Sequence, residues 1–441
     1  MGRSVPLAVI VFALVTAAGS TPRAVGASAP PKESVVFFYQ QIDSSDQSKF
    51  VGARGVVAGD QANDATAITT IHAAGALAIK YTNVYWYPAD RPYEGIDIGA
   101  HKSWAFCKTG QTPYAGRSRN NVQWFYIDAN ERAARTAIDA YFDHLKSIGY
   151  DGVFFDRGSA ALRANKHAIT WKASTCTGTP VHTKHRRFAD VYASVIHDAS
   201  QRGLTVYLNY ANPYGGSPLR PDPTDKDCRV NDWPHCKTRR DLWASVSEIV
   251  DENQGGTRAA KQFSYDLKTG AASEAHLPAS GVPKVIREIR VNSANRQAVF
   301  FRWARARLHR ILTFVDTGDD QCGGQGGCNH FGTYPELTAI AFGKPVDTAP
   351  RSSRCNGPKV VQCLWVRRYR NGMVAVNPTD HAKLIRRLKL KLAACRFVED
   401  VYRSPPGITP VAMNNDRCIT RVSYRIPAHS GRVLLYATSA W

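Results

Sequence analysis

The stretch Tyr150-Asp151-Gly152-Val153-Phe154-Phe155-Asp156-Arg157 constrains the fold more than any other part of the chain. A helix-patterned run leads into it and stops at Gly149. Four residues of strand chemistry then end on a single carboxylate, Asp156. An apolar strand buried in a parallel sheet has little reason to finish on a charge. It has a good reason if that end opens onto a site, as the C-terminal strand ends of a β/α barrel do. The plainer alternatives are that Asp156 caps the next segment or pairs with Arg157.

Strand and helix patterns alternate around this stretch, which points to βα units and a parallel sheet. Strands are expected at 35–42, 55–58, 77–81 (running on through Asn83 to Trp86), 150–156, 204–208, 243–251, 284–289 and 311–315. Helices are expected at 65–74, over Ile138, Tyr141, Phe142, Leu145 and Ile148, over Phe188 to Ile196, and at 294–310. Asp128 followed by Glu131 has the pattern of a capping box. Residues 87–123 break the rhythm with Gly, Pro and aromatics, the composition of a long loop belonging to a site or lid. From about residue 355 helical spacing fades, and short strand-like runs are separated by turns such as Arg370-Asn371-Gly372. The expected fold class is α/β: a (β/α)8 TIM-like barrel over 33–350, followed by a small C-terminal antiparallel β domain, sandwich-like, over 355–441. The basic tract 383–391 reads as a solvated strand face.

The first 29 residues have the form of an export signal: Arg3, an apolar run over 5–18, then Val25-Gly26-Ala27 as a cleavage site. That run is short for a membrane span. About 410 residues remain, enough for one barrel and a small second domain. Ten cysteines suit an oxidising compartment, so a secreted, disulfide-bonded monomer is expected. Close spacing suggests Cys228 with Cys236, Cys322 with Cys328 and Cys355 with Cys363, leaving Cys107, Cys176, Cys395 and Cys418; spacing alone does not fix the connectivity. No Cys-x-x-Cys pair exists, and His182 and His185, three apart in a loop, do not have ligand spacing. No metal and no cofactor are expected.

The net charge of +21 bears on partners rather than fold. It repels polycations and concentrates polyanions, or it simply keeps a secreted chain soluble. Polar residues gather where the strands finish: Asp60, Lys80, Asn83, Asp156, Arg157, Asn209, Tyr210, Glu252 and Asp316. Convergent carboxylates, amides and aromatics describe a carbohydrate site. Cleaving a glycosidic bond needs two carboxyl groups, one a proton donor and one ionised. Asp156 and an acid on the sixth strand are the natural pair. Glu252 lies nearer the strand end; Glu248 shares its side but sits about 13 Å deeper and would need a structural partner.

The supporting positions each have two readings. Asp60 binds a sugar hydroxyl or starts the next helix. Lys80 holds an acidic substituent or pairs with a nearby carboxylate. Asp316 lines the site or caps the loop holding Cys322 and Cys328. Tyr81, Trp86 and Trp124 stack on sugars or join the core. Asn83, Arg157, Asn209 and Tyr210 are candidates for contacting substrate.

The chain resembles the secreted glycoside hydrolases with a TIM-barrel domain, distant relatives of endo-α-1,4-polygalactosaminidase. The resemblance rests on Tyr150 to Asp156 following a helix, Glu252-Asn253 at the sixth strand, and the tail segments Asn371-Gly372-Met373-Val374-Ala375-Val376-Asn377-Pro378-Thr379 and Ser430-Gly431-Arg432-Val433-Leu434-Leu435. It implies a glycosidase with its acid pair on Asp156 and Glu252. The substrate expected is an extracellular or cell-wall polysaccharide, anionic rather than polygalactosamine, which is cationic. Two alternatives are a non-catalytic secreted carbohydrate binder on a barrel scaffold and a charge-driven binder of anionic polymers. The ordered polar strand ends favour an enzyme, and no nucleic-acid partner is expected.

Overall fold

The computed structural model describes residues 34–38, 41–59, 63–83, 86–105, 107–108, 112–113, 115–119, 122–129, 131–156, 188–209, 245–251, 263, 267, 285–290, 296–309, 312–316, 337, 340, 342–353, 355, 357, 359–379, 388–402, 419–424 and 426–437. The chain opens with β1 (Val35–Phe38), a short helix α1 (Gln47–Phe50), β2 (Gly55–Ala58), α2 (Asp64–Ala73) and β3 (Leu77–Thr82). An insertion follows, with β4 (Trp86–Pro88), β5 (Cys107–Lys108), β6 (Thr112–Pro113), β7 (Ala115–Arg119) and β8 (Val122–Tyr126). The βα rhythm then resumes with α3 (Arg132–Ile148), β9 (Gly152–Phe155), α4 (Phe188–Gln201), β10 (Thr205–Asn209), β11 (Glu248–Asp251), β12 (Val285–Arg290), α5 (Arg296–Arg307) and β13 (Leu312–Asp316).

Eight of these strands form one sheet in the order β1-β2-β3-β9-β10-β11-β12-β13, every neighbouring pair parallel. A parallel bridge from Ser34 to Thr313 brings the last strand beside the first. Contacts across the interior show the curl as well. The Phe37 ring of β1 meets Phe154 of β9 edge-on at 5.0 Å, although two strands separate them in the sheet. Among the described residues this is an α/β fold whose eight-stranded parallel sheet curls so that its last strand returns beside its first.

Local chemistry explains the pieces around the fourth barrel strand. In α3 the buried positions Ala134, Ile138, Tyr141, Phe142 and Leu145 recur at helical spacing and form one apolar face. The helix stops because Gly149 takes φ of 105°, a left-handed conformation open to glycine, and its N–H reaches the carbonyls of Leu145 and Lys146. Three residues on, β9 begins, buried on both faces as a strand inside a parallel sheet must be. Phe155 packs outward against Phe142 of α3 and Tyr192 of α4, with ring centroids 6.0 and 6.3 Å away. Gly152 permits the close strand contact: a Cβ there would lie 2.2 Å from the Thr205 carbonyl oxygen and 2.8 Å from Ile79 Cδ1.

Several expected boundaries shift. The third strand ends at Thr82, and Trp86 opens a separate strand, β4. The stretch 87–123 holds β-structure rather than plain loop: β4, β8 and β7 form an antiparallel sheet beside the β5–β6 hairpin. The capping box at Asp128 and Glu131 does not form. Glu131 itself is the N-cap of α3 and makes no side-chain cap bond, while Asp128 sits three residues earlier and is buried. The chain takes a tight turn between the two residues, with the Glu131 N–H donating to the Asp128 carbonyl.

The tail is antiparallel. β14 (Arg351–Ser353), β15 (Leu364–Tyr369), β16 (Gly372–Asn377), β17 (Leu388–Asp400), β18 (Ile419–Tyr424) and β19 (Ser430–Ala437) form a six-stranded sheet ordered β14-β15-β16-β19-β17-β18. Cys355 and Cys363 are disulfide-bonded beside β15. The sheet packs on α5, where Gly431 lies so close that a Cβ would meet the Phe300 carbonyl oxygen at 2.4 Å. Sheet side chains also satisfy carbonyls at the end of that helix. Tyr369 Oη donates to the Arg307 carbonyl, and Arg367 Nη1 donates to the Leu308 carbonyl at 2.7 Å.

We expect Gly152→Ala to lower unfolding free energy by about 3 kcal/mol, the upper range for an overpacked methyl. Urea denaturation checks this; an unchanged midpoint would mean that β9 and β10 separate easily.

Candidate functional site

Strand parity builds the site. Side chains alternate along a strand, so Gly152, Phe154 and then Asp156 share the inner side of β9, while Val153 and Phe155 face the helices. The Phe37–Phe154 contact fixes which side is inner. By the same count Tyr81 on β3 and Tyr207 and Asn209 on β10 point inward. A Cβ on Gly55 of β2 would meet Tyr207 Oη at 3.0 Å across the interior, which confirms the side.

Asp156 follows the last residue of β9 and is half-buried. β3 and β10 flank β9, with Phe154 in register with both Tyr81 and Tyr207. Each flanking strand contributes a donor. Tyr81 Oη donates to Asp156 Oδ2 at 2.5 Å, and Asn209 Nδ2 donates to Asp156 Oδ1 at 2.8 Å. Both carboxylate oxygens therefore accept a hydrogen bond. The Tyr81 ring also leans on Phe154, with centroids 5.7 Å apart, which limits how far the phenol can swing. Asn209 is buried at the matching strand end. Three residues that the sequence singled out are thus brought together by three adjacent strands.

The insertion is pinned to the same end of β3. Glu94 takes φ of 53°, in a Glu94-Gly95 turn, and turns its carboxylate back to the strand end. Thr82 Oγ1 donates to Glu94 Oε2 at 2.7 Å and the Asn83 N–H donates to Oε1 at 3.1 Å. The sequence analysis passed over Glu94; the turn-forming Glu-Gly pair inside a proline-rich stretch is the signal that marks it. Asn83 is buried, and among the described residues its side-chain oxygen has no hydrogen-bond partner. In the insertion Trp124 is half-buried and meets Tyr93 edge-on at 5.9 Å.

Of the two readings of Lys80, the structure shows the pairing with a carboxylate. It stands between Ile79 and Tyr81, so parity turns it to the helix layer and away from Asp156. Its ammonium pairs with Asp64 Oδ1 of α2 at 2.6 Å and lies 5.5 Å from the centroid of the Tyr150 ring. Tyr150 Oη donates to the same Asp64 oxygen at 2.6 Å. Burial, and then that carboxylate, push the Tyr150 phenol well above the usual range. This cluster fastens α2 to the sheet; it has no part in the group around Asp156.

Glu248, the second choice for the acid on the sixth strand, has the structural partner its depth requires. It is 1% exposed, and its Oε1 lies 2.8 Å from Arg54 Nη1. Tyr207 lies beside the pair; burial first, then Glu248, raise its phenol far above the usual range. Glu248 and Arg54 form a charged plug deep in the barrel, below the strand ends. Asp60, Arg157, Tyr210, Glu252, the proposed signal segment and Cys176, Cys228, Cys236, Cys322, Cys328 and Cys418 lie outside the described residues. Asp316 ends β13 and Trp86 begins β4; the description of both, and of Cys107 and Cys395, stops at the backbone. Among the described residues no group of three or more His, Cys, Asp or Glu is placed to hold a metal, and no helix is long and apolar enough to cross a membrane.

No protein-family model and no curated protein matches this chain. Solved structures similar to it include the glycoside hydrolase domain of PelA from Pseudomonas aeruginosa, at 16% identity over 69% of this chain and 100% of that one, with a TM-score of 0.42. An isomalto-dextranase from Arthrobacter globiformis T6 aligns at 12% identity over 92% of this chain and 72% of that one, with a TM-score of 0.49. Ega3 from Aspergillus fumigatus, in complex with galactosamine, aligns at 14% identity over 59% and 78%, with a TM-score of 0.33. Likenesses this distant leave the functional assignment to the side chains themselves.

We expect Arg54→Met to destabilise the fold by about 2–3 kcal/mol, less than for a fully buried pair because Arg54 is partly exposed. The double variant Arg54→Met/Glu248→Gln should recover part of that loss. Denaturation of the four proteins in the cycle measures the coupling; additive losses would mean that the ion pair is not what holds Glu248.

Proposed function

We propose that this chain is a glycoside hydrolase that cleaves O-glycosidic bonds of an extracellular or cell-wall polysaccharide. The observation that carries this is Asp156, held at a barrel strand end by a phenol on one neighbouring strand and an amide on the other. Barrel enzymes place their chemistry at these ends. A carboxylate whose two oxygens each accept a hydrogen bond from a neutral neighbouring side chain is fixed in direction. That suits it to act as the nucleophile, or as the base that activates water, and not as the proton donor.

The mechanism then needs a second carboxyl group to protonate the leaving oxygen. Glu252 is the residue we assign to it. In the sequence it stands two residues after Val250 and four after Glu248, and the Arg54 pair leaves Glu248 to a structural role. Asn83 supports the site as a binding residue, because a buried amide oxygen without a partner can accept a substrate hydroxyl. Asn209 and Tyr81 orient Asp156. Asp60, Arg157 and Tyr210, chosen from the sequence, and Asp316 complete the proposed set. The chain's charge of +21 favours a neutral or acidic glycan. We place the enzyme outside the cell, acting as a monomer after removal of its leader.

The test is a hydrolysis screen over neutral and acidic glycans comparing the native protein with Asp156→Asn. The variant is expected to keep its circular dichroism spectrum and to lose at least about a thousandfold in kcat. Equal turnover would reject the assignment. Tyr81→Phe should lower kcat by about tenfold to a hundredfold, the loss of one hydrogen bond to a charged group, with KM little changed. A kcat at the native level would remove Tyr81 from the mechanism.

A further inference from the structure

Glu94 holds the end of β3 at a cost to its own backbone. Its φ of 53° lies in the left-handed region, beside Gly95 at φ of 74°. A glycine at position 94 would adopt that conformation freely. What a glycine would lack is the carboxylate, which accepts from Thr82 Oγ1 through Oε2 and from the Asn83 N–H through Oε1. Thr82 and Phe155 are the last paired residues of β3 and β9. Just beyond them, the Asp156 N–H donates to the Thr82 carbonyl at 3.1 Å.

These bonds meet on a single peptide group. The unit joining Thr82 to Asn83 has its C=O on Asp156 and its N–H on Glu94. A carboxylate accepting at the N–H end polarises the amide and makes its carbonyl oxygen the stronger acceptor, more so where water is excluded. Thr82 and Asn83 are both buried. The phenols of Tyr87 and Tyr141 are buried near the same carboxylate. Burial first, and then Glu94, push both well above the usual range. Asp156 is thus fixed at two levels. Tyr81 and Asn209 hold its carboxylate, and the peptide group that Glu94 grips holds its backbone.

We propose that Glu94 is a positioning residue that, from the insertion, sets the backbone of Asp156 and so the direction of its carboxylate, acting through the Thr82–Asn83 peptide group. It works from behind the site: Thr82 alternates with Tyr81 and faces the helix layer, and Glu94 meets it there. The expected effect on turnover rests on the glycosidase reading, whereas the hydrogen-bond chain does not. A residue that merely shaped the Glu94-Gly95 bend would be replaceable by glycine without loss.

The experiment compares the full-length native protein with Glu94→Gly and Glu94→Gln. Glycine keeps the turn and deletes the carboxylate. Glutamine can keep both hydrogen bonds, its Oε1 accepting from the Asn83 N–H and its Nε2 donating to Thr82 Oγ1. Amide hydrogen exchange, resolved by residue, needs no substrate. In Glu94→Gly the Asn83 and Asp156 amides should exchange at least about tenfold faster while Phe154 keeps its native rate, and Glu94→Gln should restore protection. On the glycan that the hydrolysis screen identifies, Glu94→Gly should lower kcat about tenfold and change KM less than about threefold. Glu94→Gln should regain most of that loss. Native exchange at Asp156 in Glu94→Gly would overturn the proposal, as would a native kcat or a failure of glutamine to restore either readout. Faster exchange throughout, Phe154 included, would overturn it too, making Glu94 a general prop of the fold. A native chain that hydrolyses no glycan would sink the glycosidase reading alone, and the exchange comparison would still decide this one.

Discussion

Everything at the candidate site depends on the twofold alternation of side chains along parallel strands. On β9 it sends Gly152, Phe154 and Asp156 into the barrel and Val153 and Phe155 to the helices. On β3 it turns Tyr81 toward Asp156 and Lys80 toward Asp64, one residue apart and on opposite faces. A slip of one residue in either strand would exchange these pairs, putting an ammonium beside Asp156 and a phenol in the helix layer. The outward contacts of Phe155 with Phe142 and Tyr192 oppose such a slip, because they would have to be broken to make it.

The barrel interior is organised in depth as well as in direction. Far from the strand ends, Glu248 and Arg54 neutralise one another beside Tyr207. Nearer the ends, Phe37, Phe154 and Tyr81 pack as an aromatic layer. Asp156 and Asn209 come two residues after Phe154 and Tyr207 along their strands. The same residue type therefore does different work at the two depths. Glu248 is paired with a cation through Oε1 and shut away from water, while Asp156 accepts from two neutral donors and remains half-buried at the strand ends.

The alternating elements were legible because each announces itself locally. The period of α3, its stop at Gly149 and the apolar run of β9 involve only near neighbours in sequence. Less of the insertion was legible. Its strands β4 to β8 are two to five residues long and pair with one another across the segment, so no local period marks them. The capping box at Asp128 misled for a related reason: the motif specifies two residue types, but where a helix starts also depends on the turn that precedes it. In the tail, the runs at 361–367, 373–376, 421–426 and 432–436 stood out as strands. β17 was legible only in its first residues, as the basic strand face at 383–391, because its alternation of Leu and Lys spans both a surface signal and a core signal.

Sequence alone determined the parallel βα order and the carboxylate that ends the fourth barrel strand. Both follow from hydrophobic period and turn chemistry over a few consecutive residues. Tertiary structure decided the company each polar residue keeps: Tyr81 and Asn209 with Asp156, Asp64 with Lys80, Arg54 with Glu248. These partners lie 16 to 194 positions apart in the chain, counting from Lys80 and Asp64 to Glu248 and Arg54. Only the curl and register of the sheet bring them within hydrogen-bonding distance, and no local pattern in the chain encodes that distance.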